Sequence, residues 1–151
     1  MGVNTINIII RTMEAFDYDP IYNLLSDELG YRDLIKEDSF TRFDKIRNHK
    51  SYETFVAVYE DRVIGFIGIF KGLAFNINGN GEYLQVIALA VNSEFQSRGI
   101  GSKLLNAVNE YAKSNNIDTI SVNSGFHREK THTFYEKHGF IKKSYSFIKY
   151  L

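Results

Sequence analysis

VIALAVNSEFQSRGIGS, residues Val86–Ser102, joins three local patterns in one stretch. The apolar run Val86–Val91 has the length and composition of a buried strand. A short polar turn follows, then Gln96-Ser97-Arg98-Gly99-Ile100-Gly101, then an amphipathic helical pattern over Ser102–Lys113. A strand that breaks at a glycine-bearing turn and opens a helix is an anion-binding arrangement. The N–H groups of the first helical turn have no partner inside the helix, and their partial positive charge favours a phosphate. Glycines at 99 and 101 would let the anion approach without meeting a Cβ atom. Arg98 would add a charge-assisted hydrogen bond. The stretch predicts a phosphorylated ligand.

Two common phosphate motifs are excluded by spacing. A P-loop needs GxxxxGK[ST], and Gly99-Ile100-Gly101-Ser102-Lys103 matches it only in composition. A dinucleotide fingerprint needs GxGxxG, and its third position here is Leu104. What remains is Q-x-x-G-x-G behind an I-x-L-A-V strand. Downstream lies Phe134-Tyr135-Glu136-Lys137-His138-Gly139-Phe140. With these two motifs in this order, the chain resembles the GNAT superfamily of acyl-CoA-dependent N-acetyltransferases, most firmly over Tyr83–Ile141. Q/R-x-x-G-x-G/A holds the coenzyme A pyrophosphate in that family, and F-Y-x-x-x-G-F matches the second segment.

Bulk properties fit a compact enzyme. A chain of 151 residues is most simply one domain, 1–151, able to bury a sizeable core. Its 44% hydrophobic and 15% aromatic content is too apolar for disorder. Lys+Arg and Asp+Glu both total 18, so no basic excess points to nucleic acid. The absence of cysteine excludes disulfides, a Cys nucleophile and thiolate metal sites. No apolar stretch approaches the roughly 20 residues of a membrane span. The start, MGVNTINIII, reads as a strand and not as a signal peptide, so a cytoplasmic location is expected by default.

Periodicity predicts a strand over Asn4–Arg11 and a helix over Asp19–Leu29, capped by Asp19 with Pro20 in its first turn and ended by Gly30. A weaker helix over Ser39–His49 follows. Thr54–Glu60 and Val63–Phe70 read as a hairpin turning at Asp61-Arg62. Gly72–Gly81 is a glycine- and asparagine-rich connection, and Glu82–Val91 a central strand. In the helix after it, Leu104, Leu105, Val108, Tyr111 and Ala112 form one apolar stripe. Asp118–Asn123 reads as a strand, Arg128–His138 as a helix ended by Gly139, and Phe140–Leu151 as one or two strands. The order predicts an α/β (α+β) fold: a mixed, mostly antiparallel sheet flanked by helices. The resemblance adds that the strands ending at Val91 and Asn123 splay apart to admit the pantetheine arm, with residues 2–50 as a wall of the acceptor site.

Acetyl transfer to an amine needs a neutral nucleophile, a donor to the developing oxyanion and a proton for the departing thiolate. The resemblance assigns the last role to Tyr135, whose phenol stays protonated at neutral pH. Core packing is the alternative reading of that residue. The resemblance gives backbone groups of Leu89 and Val91 to the oxyanion and pantetheine. It gives Gln96 and the N–H groups of Ser97, Arg98, Gly99, Ile100, Gly101 and Ser102 to the pyrophosphate. Some relatives carry a carboxylate on the central strand; the matching position here is Gln85, which could orient a water. Glu82 and Tyr83 are the other substrate-side candidates on this strand, and water relays are an alternative to any dedicated base.

The helix before Tyr135 departs from the common family pattern, with Arg128 and Thr131 where Asn and Ala are usual. Arg128 is a candidate cofactor contact or a plain surface charge. His127 and His132 are five apart, which is not helical metal-pair spacing, so no metal is expected. His138, just before Gly139, reads as a cation at a helix C-terminus. The leading expectation is an acetyl-CoA-dependent N-acetyltransferase with a small-molecule amine as acceptor, no nucleic-acid or membrane partner, and a possible homodimer through the aromatic segment Tyr145, Phe147, Tyr150. The alternative is a non-catalytic acyl-CoA-binding or sensing module. The acceptor itself, in the helices near the N-terminus and the Gly72–Gly81 loop, is not legible.

Overall fold

The computed structural model describes residues 7–151. Its elements run β1 (Ile9–Thr12), α1 (Tyr18–Asp27), α2 (Lys36–Arg47), β2 (Tyr52–Tyr59), β3 (Arg62–Leu73), β4 (Glu82–Val91), α3 (Ile100–Ser114), β5 (Ile120–Val122) and α4 (Glu129–Lys137). The five strands form one sheet in sequence order. The first four are antiparallel, and β5 adds parallel to β4. The mixed, mostly antiparallel sheet flanked by helices is therefore as expected. Of the predicted first strand, residues 4–6 lie outside the described residues.

Two cores cover the two faces. On one, Leu104, Leu105, Val108 and Ala112 of α3 pack on Ile67, Ile69, Leu84 and Val86. On the other, Ile21 and Leu24 of α1 and Phe43 of α2 pack on Val56, Val58, Phe66 and Ala90. Full burial of each such Leu, Ile or Phe stabilises by about 1.5–3 kcal/mol. The predicted stripe of α3 is the one that is buried.

Several boundaries differ from expectation, each for a local reason. The β2–β3 turn is at Glu60-Asp61, not Asp61-Arg62; both residues have positive φ (49° and 62°), matching a tight turn to the strand twist. The second helix starts at Lys36, not Ser39. Ile35 is its N-cap, Glu37 and Asp38 favour its first turn, and Ser39 is buried inside it. Asp19 does not cap α1; Asp17 holds that position, and Asp19 lies in the first turn.

Asp17 is 1% exposed and accepts two hydrogen bonds from the Arg11 guanidinium, at 2.7 and 3.0 Å, and a third from the Glu14 N–H. It fastens β1 to the entry of α1. Removing one partner of a buried pair strands the other, at a typical cost of about 3–5 kcal/mol. Asp17→Ala is expected near the lower end, about 3 kcal/mol, because the Arg11 side chain is one-third exposed and can be rehydrated. Urea unfolding followed by circular dichroism measures it.

The largest correction concerns the segment from Phe140 onward. It forms no strand, and residues 141–151 are exposed throughout. The sheet ends at β5, which is paired only with β4, and residues 140–151 add no strand to its other edge. Among the described residues no helix is long and apolar enough to cross a membrane.

Candidate active site

Strand β4 carries the cleft. Its register with β3 shifts between the Gly68–Ala88 and Ile69–Val86 pairs, so Ile87 is an extra residue bulged out of the ladder. A bulge moves the alternation by one. Leu84 and Val86 before it, and Leu89 and Val91 after it, therefore all face the α3 core, whereas Ala88 and Ala90 face α1 and α2. Parallel pairing with β5 ends at Val86–Val122, while β4 runs on to Val91. The β4–β5 ladder thus stops one residue before the bulge, and among the described residues β4 beyond Ile87 has no strand paired to it on that side.

The turn at the end of β4 is built in steps. Asn92 caps the short 3-10 turn Ser93–Phe95 by accepting from the Glu94 N–H (2.9 Å). Gln96 folds back, its side-chain amide donating to the Val91 carbonyl at 2.9 Å. Ser97 takes a positive φ of 64°, and Gly99 caps α3 in the left-handed conformation, φ 80°. No side chain caps this helix start. The first intrahelical bond in the turn is Lys103 N–H to the Gly99 carbonyl, which leaves the N–H groups of Ile100, Gly101 and Ser102 ahead of it.

The two glycines have different causes. A Cβ at Gly99 would meet nothing within 4 Å, so its place is set by the left-handed backbone and open space. A Cβ at Gly101 would stand 3.3 Å from the Phe134 ring. Gly101 thus permits close packing of α3 on α4, and its bare face is turned to that ring and not to an incoming anion. Arg98 stacks its guanidinium on Phe95, 5.5 Å from the ring centroid, in place of the expected position over the helix start.

Tyr135 lies on α4, 7% exposed, with Phe134 and Phe140 edge-on to its ring at 5.4 and 5.3 Å. Gly139, at φ 91°, lets the chain reverse so that the Phe140 N–H reaches the Tyr135 carbonyl at 3.0 Å. Burial disfavours the phenolate, and the phenol is pushed up to about 12, with Arg128 acting in the opposite sense. Arg128, at the N-cap of α4, extends one guanidinium nitrogen to 3.4 Å from the Leu29 carbonyl just after α1. Glu28 accepts from the Ser93 N–H at 3.0 Å. The end of α1 is thereby tied to both the β4 turn and the start of α4. Glu28 gave no signal in the sequence beyond being one of several scattered acids.

The substrate-side candidates separate. Gln85 and Tyr83 alternate with Leu84 and Val86 and share the α1–α2 face; Gln85 pairs with Ser121 two residues before the bulge. Glu82 falls on the α3 face, near Tyr111, 3.7 Å from the Lys71 ammonium, and accepts from the Asn80 amide. It lies five residues before Ile87, about 16 Å along the strand. The structure does not bring it to the bulge. Tyr83 instead lies over Gly72, where a Cβ would approach its ring to 2.7 Å. His138 is held by two partners: its Nδ1 donates to the Phe134 carbonyl at 2.8 Å, and its Nε2 lies 2.9 Å from the Ser102 hydroxyl.

The acetyltransferase (GNAT) family profile matches residues 18–140. The chain belongs to the GNAT family. Among curated proteins it is 29% identical over 132 residues to the uncharacterized N-acetyltransferase YhdJ of Bacillus subtilis (strain 168), covering 86% of this chain and 87% of that one. Among solved structures it resembles a GNAT family acetyltransferase of Staphylococcus aureus, at 28% identity, TM-score 0.74 and coverage of 95% and 98% of the two chains. It shares its fold, at 13% identity and TM-score 0.82, with an aminoglycoside N-acetyltransferase solved with CoA, covering 100% and 99% of the two chains. The family profile, the curated relative and the Staphylococcus aureus structure together support acetyl transfer as the chemistry of this GNAT chain.

Proposed function

We propose that the chain is a single N-acetyltransferase domain that uses acetyl-CoA to acetylate a primary amine on a small molecule. The observation that carries this is the end of the β4–β5 ladder just before the bulge at Ile87, with the uncapped Gly99 turn at the end of the strand that runs on alone. The turn fits a diphosphate: its N–H groups precede the first helical bond, and the space beside Gly99 is open. Ser97 through Ser102 would hold that group mainly by backbone. Leu89 and Val91 would present backbone groups to the pantetheine, and Arg128 would lie near its inner end. Bound acetyl-CoA supplies the acetyl thioester.

This chain's residues then do the following. An amine would enter beside β4 at the bulge, where Ile87 is exposed and Ala88 half-buried. The amine nitrogen bonds to the thioester carbon, the carbon–sulfur bond breaks, and Tyr135 gives its hydroxyl hydrogen to the departing sulfur. Burial raises the proton affinity of a thiolate as it does that of a phenolate, so donor and acceptor shift together. The proton lost by the amine passes to water, oriented by Gln85, and Tyr135 recovers one. The aminoglycoside enzyme among the structural neighbours supports a small amine as the acceptor class.

Titration of wild-type protein with acetyl-CoA by calorimetry, followed by an amine panel monitored by thiol release, tests the reading. Absence of binding defeats it. Binding without thiol release from any amine is the result expected of a sensing module, which has no use for Tyr135. Because Glu82 lies on the far face, Glu82→Gln is expected to leave kcat/KM within about twofold, whereas direct participation as a base would cost about 100-fold or more.

A further inference from the structure

A hydrogen-bonded chain of Ser102, His138 and the Phe134 carbonyl joins α3 to α4 behind the Gly99 turn. Ser102 stands in the first turn of α3 and carries one of the three N–H groups ahead of the first helical bond. Its Oγ lies 2.9 Å from Nε2 of His138, the half-buried C-cap residue of α4. Across the imidazole, Nδ1 donates to the Phe134 carbonyl at 2.8 Å, and the Phe134 ring lies 4.5 Å away between centroids. A carbonyl oxygen only accepts, so Nδ1 carries a hydrogen in either protonation state of the ring. Nε2 alone changes its role with the proton.

In the neutral ring Nε2 accepts, and the Ser102 hydroxyl gives its single hydrogen to it. Only lone pairs of Oγ then remain for a group at the turn, a poor aspect for an anion. In the charged ring Nε2 donates to Oγ, and the hydroxyl hydrogen is released to an outside acceptor. The surroundings favour the charged ring. α3 packs against His138, and of its side chains in the cavity beside the imidazole Lys103 is charged while Asn106 and Asn109 are neutral. On its own helix the ring meets Phe134, at a C-terminus whose dipole suits a cation. We infer that His138 is a positioning residue for the diphosphate of acetyl-CoA. Its protonation reverses the hydrogen bond to Ser102, turns that hydroxyl into a donor to the anion, and tightens cofactor binding as pH falls. This rests on the acetyl-CoA reading above and gives that site a pH sense. By linkage the bound diphosphate favours the charged ring in turn, so binding takes up a proton. One charge-assisted hydrogen bond gained is expected to tighten binding about tenfold.

Calorimetric titration of the full chain with acetyl-CoA at about pH 8 and about pH 5.5, the span in which histidine ordinarily changes charge, tests the inference. Wild type should bind about tenfold more tightly at the lower pH, with proton uptake seen as a dependence of the heat on buffer ionisation enthalpy. His138→Gln sets a neutral amide beside Ser102 and should flatten the response. Ser102→Ala keeps the imidazole and its charge but has no hydroxyl to release, and should lose most of the response. The terminal phosphate of coenzyme A also gains a proton in this range, equally for all three proteins, so the differences between them isolate the protein's part. A merely structural histidine would lower affinity by one factor at both pH values. A pH response unchanged by His138→Gln, or left whole by Ser102→Ala, overturns the inference and leaves the acetyl-CoA reading standing. No binding by wild type at either pH defeats that reading and this inference with it.

Discussion

Tyr135→Phe is expected to lower kcat for amine acetylation by about 10²–10⁴-fold while acetyl-CoA affinity stays within about threefold. Phenylalanine keeps the ring between Phe134 and Phe140 and the burial of that part of α4, so packing survives. Only the hydroxyl is lost, and with it, on the proposed mechanism, the proton for the sulfur. A structural tyrosine would show the opposite pattern, a loss of stability with little effect on turnover by folded protein. The pH profile adds a second criterion. Because burial pushes the phenol up to about 12, the acid form persists well above the usual phenol range. The rate should therefore climb with pH as the amine, ordinarily near about 10.4, loses its proton, with no descending limb from Tyr135 below about pH 11. A fall centred near 10 would mean that the donor is a solvated phenol elsewhere. Steady-state kinetics of both proteins across pH 7–11, with calorimetric titration of acetyl-CoA, gives all three quantities.

The sheet, the two helical faces and the strand–turn–helix at Gly99 were legible because each rests on local pattern: alternation, 3.6-residue periodicity and a glycine at positive φ. Three features were hidden because they depend on distance in space. The bulge at Ile87 cannot be read from an unbroken apolar run, yet it moves Leu89 and Val91 onto the α3 face just past the last β4–β5 pair. Gly101 reads as part of an anion turn, and only the approach of Phe134 from α4 shows that its missing Cβ serves helix packing. Glu28 is an ordinary acid in the sequence, and Arg128 reads as either a cofactor contact or a surface charge; their contacts with Ser93 and Leu29 appear only once the end of α1 meets the β4 turn and the start of α4. The segment 140–151 has the composition of a strand, yet it joins no ladder, because pairing depends on an edge brought near in space and not on composition.

Gly99→Glu separates backbone strain from electrostatics at the turn, and its contrast with Gly99→Ala is the sharper test. Nothing lies within 4 Å of a Cβ at this position, so neither side chain meets a steric wall. Both variants must hold a non-glycine residue at φ 80°, at a cost of about 1–2 kcal/mol in stability. Their unfolding midpoints should accordingly fall together. Their affinities should not. Alanine leaves the N–H groups of the first turn of α3 free to meet an anion, and acetyl-CoA binding is expected to weaken by less than about fivefold. Glutamate brings a carboxylate to the same N–H groups and toward a diphosphate. One pair of like charges at about 4 Å and an effective dielectric of about 20 opposes binding by roughly 4 kcal/mol, so a loss of 10²–10³-fold is expected after screening. Raising the salt concentration should recover part of that loss for Gly99→Glu and change Gly99→Ala little. Equal affinity losses in the two variants would make the turn a structural corner only and move the phosphate site elsewhere on the cleft. Calorimetry at two ionic strengths decides between them, since strain is indifferent to salt and charge repulsion is not.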